Sequence, residues 1–295
     1  MTKIFCWNVA GLRSSIKKGA LDCLKGGEYD IVCLQETKTL PEEVFIPTWI
    51  NELYPNRYWQ SKYGKGEQKK GFSGTSIWSK KVGKQLNPPE NELEGRITSV
   101  EFEEFILVTV YTVNSQGATS KRLEYRTEVW DLMLRSYIKQ LKEIKPVIIC
   151  GDLNVSHLDV DIYEPIKYKN KIPCFFDSER NNMQELINEG FVDAFRYKYG
   201  NKENCYTYWN QRAPQMRITN RGFRIDYFLV DEKIKSNIID THIQKDIMGS
   251  DHCPITLELY CREVFKELEI KEKQEVRKKT IRKIKLKIVN KEEQE

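Results

Sequence analysis

Three short runs of β-branched and aromatic residues each stop on an amide or an acid. Ile4-Phe5-Cys6-Trp7 ends on Asn8, and Ile31-Val32-Cys33-Leu34 ends on Gln35-Glu36. Val147-Ile148-Ile149-Cys150 runs into Gly151-Asp152-Leu153-Asn154. A fourth polar cluster, Gly249-Ser250-Asp251-His252-Cys253-Pro254, stands directly before the last apolar run. Runs of this length and composition read as buried strands. Polar residues placed at their ends point to a site that collects where several strands finish.

The rest of the chain alternates in the same way. Strands are expected near 3–7, 30–35, 74–79, 97–103, 105–111, 147–151, 225–230 and 255–260, with 97–102 and 105–111 forming a hairpin around Glu103-Glu104. Helices are expected over 12–25, 120–143 and 179–189. The second is the clearest, because Leu123, Val129-Trp130, Met133-Leu134, Ile138 and Leu141 recur at helical spacing. Lysine- and glycine-rich 62–71 and arginine-bearing 211–222 read as surface loops. Strand and helix alternating over 295 residues fit an α/β catalytic domain over 1–261, with an extension over 262–295.

Composition narrows the class. Hydrophobic content of 40% and charged content of 31% suit a globular protein that works without a membrane. Eight cysteines show no CxxC spacing, and Cys6, Cys33 and Cys150 sit inside apolar runs as core residues do. That argues against a disulfide framework or a zinc site and for a reducing, intracellular compartment. The net charge of +5 is uneven: 262–295 carries a surplus of four positive charges and the body a surplus of one. Arg277 to Lys287 is the basic core of that extension, and Ile284, Leu286 and Ile288 alternate with lysine there. A solvated tail, a nucleic-acid contact and a nuclear-import signal all fit; the compartment would be the nucleus in a eukaryote and otherwise the cytoplasm.

The strand ends carry the parts of a phosphodiesterase. Such a reaction must neutralise phosphoryl charge, activate a water and stabilise a leaving alkoxide, and a hard cation held by carboxylates serves the first and last needs. Glu36 is the first candidate ligand, although a strand-end glutamate is also an ordinary surface residue. Asp152 and Asn154, two apart, face one way in extended structure and could orient and deprotonate water; an Asp/Asn turn fits equally. His252 suits a general acid or phosphate partner, with Asp226 as its orienting carboxylate, because an acid inside an apolar strand is costly unless paired. Asp251 could reach metal or water beside it. Tyr111 and Asn114, after the 106–110 run, could bind phosphate. Tyr206-Thr207-Tyr208-Trp209, the arginine loop and Phe223 could form a stacking or sugar-binding wall, or simply core. His157 and His242 read as structural or exposed.

Seven segments in order resemble the exonuclease III family of class II apurinic/apyrimidinic (AP) endonucleases, within the endonuclease/exonuclease/phosphatase superfamily. They are Trp7–Arg13, Leu34–Lys38, Gly71–Thr75, Arg122–Arg126, Gly151–Val155, Gly222–Phe228 and Gly249–Pro254. The resemblance implies a DNase I-like, four-layer αββα sandwich of two packed mixed sheets flanked by helices. It implies a base excision repair hydrolase, a monomer acting on double-stranded DNA that contains abasic sites. Mg²⁺-dependent cleavage 5′ to the lesion would leave a 3′-hydroxyl and a 5′-deoxyribose phosphate, with Mn²⁺ as a substitute ion. Possible further activities are 3′–5′ exonuclease and 3′-phosphodiesterase. The resemblance assigns the metal to Glu36 and Asn8, with Asp152, Asn154, Asp251 and His252 close to it. Asp152 and Asn154 handle water, His252 with Asp226 handles the phosphate, and Tyr111 and Asn114 contact it. Tyr208, Phe223 and Ile225 form a pocket for a flipped-out abasic sugar.

Three places depart from the family pattern. Ala10 stands where many animal relatives have an aspartate near the metal. The loop 115–120 lacks the arginine that some relatives insert at the lesion. Cys174-Phe175-Phe176-Asp177 replaces a Gly-Phe-Thr-Pro-like stretch, which puts ligands from that loop in doubt. The competing readings are an inositol-phosphate phosphatase or sphingomyelinase of the same fold, and a non-catalytic DNA-binding module. Trp7, the 122–126 motif and the Tyr208/Phe223/Ile225 pocket favour the DNA enzyme.

Overall fold

The apolar runs are strands buried on both faces, and this dictates four layers. The computed structural model describes residues 1–61 and 72–260. In chain order the strands are β1 (Thr2–Asn8), β2 (Ile31–Gln35), β3 (Asn56–Gln60), β4 (Thr75–Ser79), β5 (Lys84–Leu86) and β6 (Ile97–Glu101). They continue with β7 (Ile106–Tyr111), β8 (Val147–Asp152), β9 (Phe191–Asp193), β10 (Asp226–Asp231), β11 (Ile238–Ile243) and β12 (Ile255–Leu259). One sheet has the order β11-β12-β1-β2-β4-β3 and the other β5-β6-β7-β8-β10-β9. Each is mixed: β1 and β2 pair in parallel, as do β7 and β8, among antiparallel neighbours.

Alternation along β1 shows how the layers form. Ile4 and Cys6 enter the core between the sheets, where they meet Leu107, Ile148, Cys150 and Phe228 of the second sheet. Phe5 and Trp7 point the other way, into an outer core with Leu12 of α1 (Leu12–Lys17) and Ile50 of α2 (Thr48–Leu53). The second sheet is covered likewise. Its outer side chains Val108, Val110 and Ile149 pack against Leu134 and Ile138 of a long helix and Met183 of another. Each such side chain, fully buried, contributes about 1.5–3 kcal/mol of transfer free energy. No helix among the described residues is long and apolar enough to cross a membrane.

Two expected helices are subdivided. The first ends after α1, because Gly19 takes a left-handed φ of 69°, and resumes as a 3₁₀ turn over Ala20–Leu24. The helix expected over 120–143 comprises α3 (Lys121–Glu124), a π turn over Tyr125–Trp130 and α4 (Asp131–Lys142). The π turn rotates Val129 outward, 51% exposed, and puts Arg126 on the buried face. Short α5 (Pro165–Tyr168) precedes α6 (Asp177–Asn188), which fills the third expected position and starts where Glu179 Oε2 accepts from Phe176 N at 3.0 Å. Next come α7 (Ala194–Tyr199) and α8 (Gln215–Ile218); α8 interrupts the loop expected over 211–222. The loop expected over 62–71 and the extension 262–295, with its basic run and its Ile284/Leu286/Ile288 alternation, lie outside the described residues.

Candidate active site

The C-terminal ends of β1, β2, β7 and β8 converge, and the start of β10 meets them. Asp152 pairs in register with Tyr111 on one side and Asp226 on the other. This close approach requires Gly151. It has a φ of 124°, and a Cβ there would lie 2.2 Å from Val110 O. The polar residues at the strand ends therefore border one cavity of about 460 Å³.

The cavity has a polar end and an apolar end. Glu36, Tyr111, Asn114, Asp152, Asn154, Asp251 and His252 line the first; Tyr208, Phe223 and Ile225 line the second. Asn8 and Asp226, the remaining sequence candidates, stand behind this wall. Asn8 Nδ2 donates to Glu36 Oε1 at 3.0 Å and to Asp152 Oδ2 at 2.9 Å, while its Oδ1 accepts from Ala10 N at 3.0 Å. Asn8 thus ties two acids together through the donor side of its amide. Asn154 closes the other side. Its backbone N donates to Asp152 Oδ1 at 2.9 Å, and its Oδ1 accepts from Asn114 Nδ2 at 3.0 Å.

His252 is set between two carboxylates. Asp226 Oδ2 lies 2.8 Å from Nδ1, and Asp152 Oδ2 lies 3.7 Å from Nε2. Burial works against charge on the imidazole, but Asp226 and Asp152 outweigh it and raise its pKa. Asp152 is also raised, by burial and by its acidic neighbours Asp226 and Glu36. With His252 Nε2 3.7 Å from Asp152 Oδ2, the two groups titrate as a coupled pair rather than independently. Burial likewise raises the Tyr111 phenol well above its usual value, with Glu36 and Asp152 adding to the effect, so it stays a donor. Asp226 Oδ1 is buried without a partner among the described residues.

Backbone strain gathers at the same place. Ala10, Glu36, Lys38 and Asn154 all have φ between 48° and 51°, a left-handed conformation that costs most residues about 1 kcal/mol. The loops that hold the site are therefore over-determined by what surrounds them. Trp7 Nε1 donates to His252 O at 3.0 Å, and Ser250 Oγ donates to Asn8 O at 2.7 Å, which joins the β1 end to the 249–254 turn.

Several contributors escape sequence reasoning. Lys38 Nζ reaches Glu36 Oε2 at 2.6 Å and, despite burial, helps hold that carboxyl below its usual pKa. Lys38 belongs to the Leu34–Lys38 segment, but nothing in its spacing shows that it folds back. Tyr168, Ile172, Cys174 and Met216 complete the apolar end. Of the divergent stretch 174–177, Cys174 reaches the cavity wall, whereas Asp177 faces Asn170 at 2.7 Å outside it. Arg217 is turned inward from the arginine loop. It donates to Ser250 O, Lys245 O and Ile247 O and covers the Trp209 ring, so it braces the 245–250 segment. His157 is buried against Tyr227 and Arg180, and His242 lies half-exposed beside Asp240, both apart from the cavity.

Comparison with known proteins agrees with this geometry. The model of the Endonuclease/Exonuclease/phosphatase family matches residues 5–252. The chain is 42% identical over 260 residues to an exodeoxyribonuclease of Bacillus subtilis (strain 168), covering 86% of this chain and 98% of that protein. It is 39% identical over 262 residues to the DNA repair nuclease APEX1 of Danio rerio, covering 86% of this chain and 81% of that one. Its fold matches the structure of an AP endonuclease from Archaeoglobus fulgidus with a TM-score of 0.77 at 24% identity, over 88% of this chain and 99% of that one.

Proposed function

The chain belongs to the endonuclease/exonuclease/phosphatase family as a DNA repair nuclease, and from that premise we propose that it cleaves duplex DNA 5′ to abasic sites with Mg²⁺. The observation that carries this reading is the two-ended cavity. Water-activating and phosphate-binding groups meet at one end, and an apolar wall suited to a sugar without its base stands at the other.

Enzymes of this family work with a divalent ion, and the residues here fit one. Mg²⁺ needs one or two carboxylates, with waters completing its shell. Glu36 offers a carboxylate held ionised by Lys38, and Asp251 and Asp152 share its cavity. Burial raises Asp152 first, with Asp226 and Glu36 adding repulsion, and a cation beside these acids would offset that negative charge. Glu36 would hold the ion, with Asp251 and Asp152 adjoining. Asn8 and Asn154 would orient those acids, and His252, engaged by Asp226, would serve the phosphate rather than the metal. The bound ion supplies charge neutralisation at the phosphate and at the leaving oxygen.

The chain's own groups do the rest. Asp152, oriented by Asn8 and Asn154, takes the proton of the attacking water. The imidazolium of His252 and the donors of Tyr111 and Asn114 stabilise charge on the phosphoryl oxygens. The water oxygen bonds to phosphorus as the P–O3′ bond breaks, and the departing O3′ takes a proton from solvent, leaving a 3′-hydroxyl and a 5′-deoxyribose phosphate. Phe223, Ile225 and Tyr208 hold the extruded sugar. On this reading the protein acts as a monomer in an intracellular, reducing compartment; the catalytic domain spans 1–261 and 262–295 is an appended extension. The test compares an abasic-site duplex, an undamaged blunt duplex and an inositol phosphate, each with Mg²⁺ and with EDTA. Fastest metal-dependent incision of the abasic duplex is expected; preferred hydrolysis of the inositol phosphate would overturn the reading.

A further inference from the structure

The Arg122–Arg126 motif lies outside the lining of the cavity. We propose that Arg126 is a positioning residue that sets the spacing of the two loops carrying Asn114 and Asn154, and so governs turnover without touching substrate. This rests on the roles proposed above for those two asparagines.

Arg126 is 3% exposed. All three corners of its guanidinium are used: Nε donates to Asp131 Oδ1 at 2.8 Å, Nη1 to Val113 O at 2.8 Å and Nη2 to Leu153 O at 2.9 Å. Val113 immediately precedes Asn114, and Leu153 lies between Asp152 and Asn154. The two loops are thus tied on the cavity side by the Asn114–Asn154 bond and on the far side by one planar fork. Further ties run beside it: Asn154 Nδ2 donates to Thr112 O at 2.9 Å, and Thr112 N donates to Asp152 O at 2.8 Å.

The π turn makes this possible. Within it, Asp131 N bonds back to Arg126 O, five residues away, so the helix gains one residue at the point where Arg126 turns inward. Asn182 of α6 supports the turn, donating to Thr127 O at 2.8 Å and to Asp131 Oδ2 at 3.1 Å. The inward row of this helix continues as Trp130, Leu134, Ile138 and Leu141, all buried. An arginine at the head of an apolar row is expensive unless every donor is directed, and here the directions are the two active-site loops. Lysine could keep the charge and the Asp131 pair, but one ammonium cannot bond both carbonyls along the fork's two directions.

The experiment is a double-mutant cycle on an abasic-site duplex with Mg²⁺, using the full chain. Arg126→Lys is expected to lower kcat roughly 10- to 100-fold with KM changed less than about threefold. In the Asn154→Ala background the same change should cost less than about threefold, because the group it positions is gone. Asp131→Asn keeps both carbonyl bonds of Arg126. It should lower Tm while leaving kcat within about threefold, whereas a merely structural arginine would make kcat follow Tm in both variants. Should Arg126→Lys not fold, Arg126→Gln enters the same cycle. Unchanged kcat in a folded Arg126 variant, multiplicative losses in the cycle, or an Asp131→Asn turnover loss matching that of Arg126→Lys would each overturn the inference. If Asn154→Ala itself cleaved like wild type, the reading of the site would fall with it; slow Asn154→Ala beside fast Arg126→Lys would sink the inference alone.

Discussion

Truncating Phe223 separates recognition of the lesion from general DNA binding. Phe223 is 7% exposed, and its ring centroid lies 5.9 Å from that of Tyr208 and 6.2 Å from that of Tyr168. Its backbone is held independently of the ring: Phe223 N donates to Tyr208 O at 3.0 Å, and Thr207 N donates to Phe223 O at 2.9 Å. Phe223→Ala should therefore keep the local chain path. A core Phe→Ala change costs about 3–5 kcal/mol, and the lower end applies because the ring borders an open cavity, so no sealed void forms. The recognition loss is the apolar wall itself, about 1.5–3 kcal/mol for a side chain fully buried against its partner. If that contact exists only when the sugar is extruded, kcat/KM for abasic cleavage falls roughly 10- to 150-fold, taking about 1.4 kcal/mol as tenfold. Binding of undamaged duplex, read by fluorescence anisotropy, should change less than about twofold, and Phe223→Leu should recover most of the cleavage. Equal losses on cleavage and on undamaged-duplex binding, in a protein that remains folded by thermal melt, would refute the reasoning.

Asp152→Asn and His252→Ala should each lower turnover at least about 100-fold while duplex binding survives, since water activation and charge stabilisation are each worth orders of magnitude; near-normal kcat in either purified variant removes that residue from the mechanism. Ala10→Asp should lower the half-saturating Mg²⁺ by about tenfold, the lower end for a group just outside the ligands, and a left-handed φ of 48° suits aspartate at least as well as alanine; superimposable titration curves would place residue 10 beyond the metal's reach. Removing 262–295 should flatten the salt dependence of DNA affinity, because fewer counterions are released; identical slopes would exclude phosphate contact by that segment. Arg224 and Arg196 hold the buried Asp161 carboxyl below its usual pKa against its desolvation. A depressed folded-state pKa gives stability that is full above the unfolded value near 3.9 and is lost as pH falls below it. Asp161→Asn should therefore flatten the fall in Tm below about pH 4, and an unchanged acid slope would show that the pair contributes nothing there.

What the sequence reveals and what it hides divide along the position of each element in its sheet. The strands expected from apolar runs are β1, β2, β4, β6, β7, β8, β10 and β12, and all of them lie inside the two sheets. The four that escape are β3, β5, β9 and β11, and these are the sheet edges. An edge strand is paired on one side only, so burial does not force it to be apolar. β5 reads Lys84-Gln85-Leu86 and is largely exposed, and β3 is half-buried throughout. The site divides in the same way. Acids and amides that end central strands announce themselves, because a charge beside a fully apolar run demands a reason; Asn8, Glu36, Asp152 and Asp226 are of this kind. Lys38 and Arg126 act by reaching back or inward across the fold, and a residue's reach has no period in the sequence. Arg126 is the sharper case. A single-residue π insertion shifts the helical phase by about 100°, but the apolar row after it, Trp130, Leu134, Ile138 and Leu141, keeps helical spacing by itself, so 120–143 still reads as one α-helix. Yet that one residue decides which side chain faces two active-site loops. The interruption falls where the buried arginine of this helix meets the Val113 and Leu153 carbonyls, so those two bonds offset the loss of regular helix.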